Sequence, residues 1–101
     1  MLLYHTHYDM LLATYEPYAG CEGRQPCGGG WVCGPVGKTG FQAQSFEECQ
    51  QHAVSEKADG FAISLVTNDC FMCTKAELQS LTPFPDYTVY KRTGTYTLIA
   101  I

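Results

Sequence analysis

The sequence predicts an α+β domain, in which a single helix packs on a mostly antiparallel β-sheet stapled by disulfides. Three observations point there. Six cysteines (Cys21, Cys27, Cys33, Cys49, Cys70 and Cys73) stand in 101 residues, and an even count in a short chain reads as a disulfide framework. An S-x-x-E sequence, Ser45 to Glu48, opens one amphipathic segment. Short β-branched and aromatic runs separated by turn residues fill the chain beyond that segment.

The chain is read as a single domain, 1–101, divided into an irregular portion rich in Tyr, Gly and Cys (1–44), a core (45–92) and a terminal β segment (93–101). Tyr4, Tyr8, Tyr15 and Tyr18 precede Cys21, and Gly28-Gly29-Gly30 lies between Cys27 and Cys33. Glycine opens backbone conformations closed to other residues, so 20–30 is expected to be irregular and covalently pinned. Trp31-Val32-Cys33 reads as a short strand ended by Gly34-Pro35. The helix is expected over Ser45 to about Ala58. A capping box of Ser45 and Glu48 satisfies two amide donors, and Phe46, Cys49 and Ala53 form the buried stripe. Gly60 is expected to terminate the helix, and Gly60–Val66 to form a mostly buried strand. Thr67-Asn68-Asp69 is turn chemistry, and Cys70-Phe71-Met72-Cys73 begins another strand. Thr74 and Glu77 repeat the capping pattern ahead of a short helix through Leu81, which Pro83 and Pro85 break. Tyr87 to Arg92 alternates as a strand, Gly94 interrupts, and Thr95 to Ile101 forms a second β segment.

Composition narrows the function. The formal charge is −4, and basic residues are scattered except for Lys91-Arg92. Such a chain offers no basic stripe to neutralise phosphates, so nucleic acid is not an expected partner. No apolar run approaches the roughly 18 residues needed to span a bilayer, so membrane insertion is not expected. Met1 to Tyr18 lacks the basic start of a signal peptide, and His5, His7 and Asp9 interrupt any apolar stretch. The cysteine count nevertheless points to an oxidising, extracellular setting.

Several motifs bear on sharper chemistry. Cys70-x-x-Cys73 has redox spacing, but a reactive thiol needs a helix N-terminus or a nearby cation. Here the stretch reads as strand and acidic Asp69 precedes it. A zinc site could draw on Cys70 and Cys73 together with His5 and His7. Cys21, Cys27 and Cys33, however, do not form a second C-x-x-C knuckle. Glu47 and Glu48 are adjacent and diverge by about 100° on a helix, and His52 has no evident nucleophile beside it. Phosphate loops, nucleophile elbows and H-E-x-x-H are missing from the sequence. The sequence therefore leads us to expect no enzyme and no cofactor or metal. Asn68 is the only asparagine and is not in an N-x-[ST] acceptor; Thr93, Thr95 and Thr97 offer hydroxyls for O-linked sugar.

Residues 45–92 resemble the PAN/apple family of extracellular modules. Four stretches carry the resemblance: Ser45-Phe-Glu-Glu-Cys-Gln-Gln-His-Ala53, Gly60-Phe-Ala-Ile-Ser64, Asn68-Asp-Cys-Phe-Met72 and Tyr87-Thr-Val-Tyr-Lys-Arg92. The resemblance implies that a helix is clasped to the sheet by disulfides, with Cys49 paired to Cys70. Ala53 and, approximately, Ala58 stand where the family has a second helix cysteine and its partner, so both ends of one bridge are missing together. A bridge between Cys49 and Cys70 closes a loop worth about 3 kcal/mol in the chain-entropy account. Cys21, Cys27, Cys33 and Cys73 would form two more bonds, with three connectivities open. The resemblance also implies a non-catalytic, secreted interaction module that binds protein or carbohydrate. The alternative is a self-assembling subunit of an extracellular polymer or filament. Its uncharged terminal strand would add to a neighbouring copy, since neither lysine nor proline guards it; the simpler reading is that this strand completes the domain's own sheet.

Overall fold

A computed structural model describes residues 10–18, 29–35 and 37–99, with 10–12 and 95–99 described by their backbone alone. His5, His7, Cys21, Cys27, the signal-peptide reading and the end of the terminal segment lie outside the described residues. The fold is α+β. Six strands form one antiparallel sheet: β1 (Met10–Pro17), β2 (Gly29–Cys33), β3 (Phe41–Gln42), β4 (Gly60–Ser64), β5 (Asp69–Cys73) and β6 (Leu81–Ile99). The main helix α1 (Phe46–Ser55) lies between β3 and β4, and a single turn, α2 (Lys75–Leu78), lies between β5 and β6. The strand order is β1-β6-β4-β5-β3, with β2 also paired to β6.

The sheet has two covered faces. On one, α1 packs Cys49 and Ala53 against Phe61 and Ile63 of β4 and Cys70 of β5, with Phe46, Tyr15 and Tyr90 at the margin. Phe61 is fully buried and stacks on Tyr90 at 5.1 Å between ring centroids, and Tyr15 meets it edge-on. Such geometry adds to the area these rings bury. On the opposite face, Val32 and Cys33 of β2 join Ala62, Phe71, Cys73, Leu78 and Val89. Each face has its own disulfide, Cys49–Cys70 under the helix and Cys33–Cys73 opposite. Sequence separations of 21 and 40 correspond to about 3 and about 4 kcal/mol in the chain-entropy account. These are the two disulfides among the described residues, where the composition leads us to expect three in the whole chain.

Local chemistry shifts several expected boundaries. The helix ends at Ser55, short of Ala58, and Lys57, not Gly60, terminates it. Lys57 adopts φ +56°, and the amides of Lys57 and Ala58 donate to the carbonyls of Val54 and Ala53, closing a Schellman motif. Gly60 instead opens β4, where a Cβ would run into the Tyr90 carbonyl oxygen. Ser45 caps the helix through its hydroxyl, which accepts from the Glu48 amide at 3.1 Å, but the Glu48 carboxylate accepts from the Gln44 amide rather than from Ser45. The reciprocal box is instead complete at α2, between Thr74 and Glu77. β4 stops at Ser64, because its hydroxyl accepts from the amides of Val66 and Thr67 and turns the chain. Leu65 and Val66 are consequently 61% and 73% exposed, not part of a buried strand.

The largest departure is β6. The short helix ends at Leu78, and Pro83 and Pro85 lie inside the strand instead of breaking a helix. Gly94 does not separate two segments. It adopts φ +74° near a register shift against β1, where Leu12 pairs Thr97 and Thr14 pairs Thr93, and the strand continues past it. Gly29 and Gly30, within the span expected to be irregular, begin β2. β1 and β3 also fall within the 1–44 portion expected to be irregular.

The Lys57 left-handed cap is strained, since such a conformation costs a residue with a Cβ on the order of 1 kcal/mol. Lys57→Gly should therefore raise stability by about 1 kcal/mol, lifting the thermal midpoint by several degrees. Gly60→Ala should lower stability by about 1–3 kcal/mol through the clash with β6. Thermal unfolding by circular dichroism measures both.

Candidate binding groove

Where α1 ends beside the sheet edge, a concave site of about 350 Å³ opens. Its floor is β5 (Cys70, Phe71 and Met72), one wall is Thr39, Gly40 and Phe41, and the other is His52 and Glu56 of α1. This volume is at the small end of ligand pockets, enough for a sugar ring or one or two side chains.

Sequence and local structure build each wall. His52 and Glu56 are one helical turn apart and therefore share a face, with Nε2 and Oε2 at 2.6 Å. Phe41 of β3 lies against the His52 imidazole, 4.4 Å between ring centroids at a 40° tilt. Gly40 lets the chain lie directly on β5, since a Cβ there would overlap the Cys70 carbonyl oxygen. Cys70, which lines the groove, is bonded to Cys49, so the helix wall and the floor are covalently joined.

Lys38 anchors the approach to this wall. Its ammonium donates to the Met72 carbonyl at 2.6 Å and to Glu77 Oε1 at 2.7 Å, and lies 5.2 Å from the centre of the Phe71 ring. Burial alone would raise the Glu77 carboxyl, but hydrogen bonds from Lys38 and Thr74 outweigh it and hold the group below its ordinary value. Across the sheet, the Tyr87 hydroxyl donates to Asp69 Oδ2 at 2.7 Å. Burial and then this carboxylate push the Tyr87 phenol up to about 12, and burial also raises Tyr90. Tyr87 stacks on Phe84, 4.9 Å between ring centroids.

The structure separates most of the candidate residues read from the sequence. Cys70 and Cys73 do not form a thiol pair; they point to opposite faces and bond to Cys49 and Cys33. Glu47 and Glu48 occupy the first turn of α1, outside the groove lining. His52 is part of the lining, paired with Glu56. Among the described residues, no group of three or more His, Cys, Asp or Glu side chains is placed to hold a metal ion, and no helix is long and apolar enough to cross a membrane. Phe41, Met72 and Gly40 carry no signal of this role in the sequence. The His52–Glu56 spacing is the one legible cue, whereas the aromatic and sulfur side chains reach the groove only through strand pairing.

Comparison with protein-family models, with curated proteins and with solved structures gives no match to this chain.

Two pH limits arise from the shifted groups. Glu77 is lowered in the fold, so its stabilisation is complete above the ordinary value of 4.5 and is lost as the pH falls through the folded value. Glu77→Gln should flatten that acid limb in a series of thermal midpoints. Tyr87 is raised, so its contribution is complete below pH 10 and disappears as the pH rises toward 12. Tyr87→Phe should remove the late phenol from an ultraviolet titration and cost about 1–3 kcal/mol at neutral pH.

Proposed function

We propose that this chain is a non-catalytic, extracellular interaction module that recognises protein or carbohydrate through the groove beside α1. The groove itself carries the reading. It combines an aromatic ring, a thioether and a disulfide floor with one donor–acceptor pair, His52 and Glu56. Binding sites commonly pair an apolar surface with a few convergent polar groups. Phe41 offers a ring for a sugar face or an aliphatic side chain, and Met72 adapts to irregular shapes. The two disulfides among the described residues are consistent with an oxidising compartment, which supports secretion. A helix clasped to an antiparallel sheet by Cys49–Cys70 also supports the PAN/apple resemblance, and membership of that family is part of the proposal.

Amide chemical shifts, recorded while panels of oligosaccharides and short peptides are titrated in turn, test this reading. A ligand should move the signals of Phe41, His52, Glu56 and Met72 first. Phe41→Ala should weaken that binding about 10-fold or more, the usual order for losing a buried aromatic contact. Shifts confined to another surface, or binding unaffected by Phe41→Ala, would remove the groove from the account.

A further inference from the structure

We propose that the chain pairs with a second copy of itself, antiparallel and two-fold symmetric, along the β6 edge between Thr95 and Ile99. This goes beyond the ligand groove, which is built from α1, β3 and β5.

The inference comes from how β6 uses its two edges. One edge is taken in succession by β2, over Leu81–Thr88, and β1, over Tyr90–Ile99. The other edge is covered by β4 only from Tyr87 to Lys91. Before that covered stretch, β6 carries Pro83, Pro85 and Asp86. Proline lacks an amide donor and a charge resists pairing, the usual protections of an exposed edge. After it, beyond the Gly94 bulge, Thr95-Tyr96-Thr97-Leu98-Ile99 contains neither proline nor charge. Proline and charge therefore guard β6 up to β4, whereas on the other side charge stops at Arg92 and the five residues beyond the Gly94 bulge carry neither.

The remaining edges do not rival it. β3 is two residues long, β2 is five with two glycines at its start, and β1 ends in Glu16 and Pro17. Beyond the bulge, β6 is hydrogen-bonded only to Met10–Leu12 of β1 among the described residues. A ribbon of two strands is marginal on its own. A second copy would convert it into a four-stranded sheet.

The uncharged segment lets a second copy pair with it without like-charge repulsion, and the flanking cations set the register. A two-fold axis at Thr97 aligns Thr95 with Ile99 of the other copy and Thr97 with itself, so no like charges face one another. Sliding the pairing toward Lys91 and Arg92 would oppose cations, which destabilises cross-strand pairs. The contact is isologous and closes at two copies.

Sedimentation equilibrium across a concentration series, on the full chain with its disulfides intact, tests the proposal. A monomer–dimer equilibrium is expected, with Thr95–Ile99 amides gaining hydrogen-exchange protection as concentration rises. Thr97→Lys and Thr97→Glu should each be monomeric, with thermal midpoints shifted equally little, and an equimolar mixture should recover the dimer. Gln42→Lys on the β3 edge should leave dimerisation unchanged. A wild-type monomer throughout, a dimer retained in both Thr97 variants, or assembly beyond two copies would each overturn the proposal. The exchange measurement keeps it falsifiable even if a variant folds poorly, because protection gained elsewhere with none at Thr95–Ile99 would overturn it equally.

Discussion

Cys70 and Cys73 lie three residues apart on one strand, and the alternation of a β-strand sends side chains at that spacing to opposite faces. The rest of the domain is organised around this placement. Cys70 reaches down to Cys49 and ties the helix to its face, and Cys73 reaches the other way to Cys33 and ties β2 to its own. One short strand thus anchors both layers, and a small core is stapled on each side of the sheet. The same geometry settles the chemistry of the C-x-x-C spacing. A redox dithiol or a zinc knuckle needs both sulfurs together, whereas a strand separates them by the thickness of the sheet.

β6 supplies the second constraint. It pairs with three other strands, and its two non-ideal points, Asp86 at φ +74° and Gly94 at φ +74°, each fall near a register shift against a neighbour. Bulges of this kind bend a strand and increase its twist, which suits a long strand that must serve β2 at one end and β1 at the other. Prolines at 83 and 85 are compatible with this role, because β4 does not hydrogen-bond that stretch.

Much of the core is legible in the sequence because its signals are local. The Ser45 cap, the Phe46–Cys49–Ala53 stripe, the apolar run from Gly60 and the turn at Asn68 each depend on neighbours within a few residues. The features that escape depend on distant partners. Phe41-Gln42 becomes a strand only because β5 offers an edge, and Met10–Pro17 only because β6 does. Pro83 and Pro85 read as breakers since nothing nearby reveals that β6 needs no β4-side donors there. Lys57 shows the same limit at smaller scale. A glycine three residues later looks like the natural stop, but Gly60 is required where β4 presses against β6, and a lysine bears the helix end. The groove is the least legible feature, because it joins a helix face, a two-residue strand and the middle of β5.

The two disulfides are nested, with Cys49–Cys70 inside the span of Cys33–Cys73. Any single peptide-bond cut between residues 33 and 73 therefore leaves both fragments joined through sulfur. After Cys73 the sequence contains no further cysteine, so β6, the strand with the most pairing partners, follows the last covalent knot. A nick between Thr74 and Ser80 would leave it held by hydrogen bonds and packing alone. As a linkage map, the molecule is a closed, cut-tolerant ring that has entrusted its central beam to a single thread.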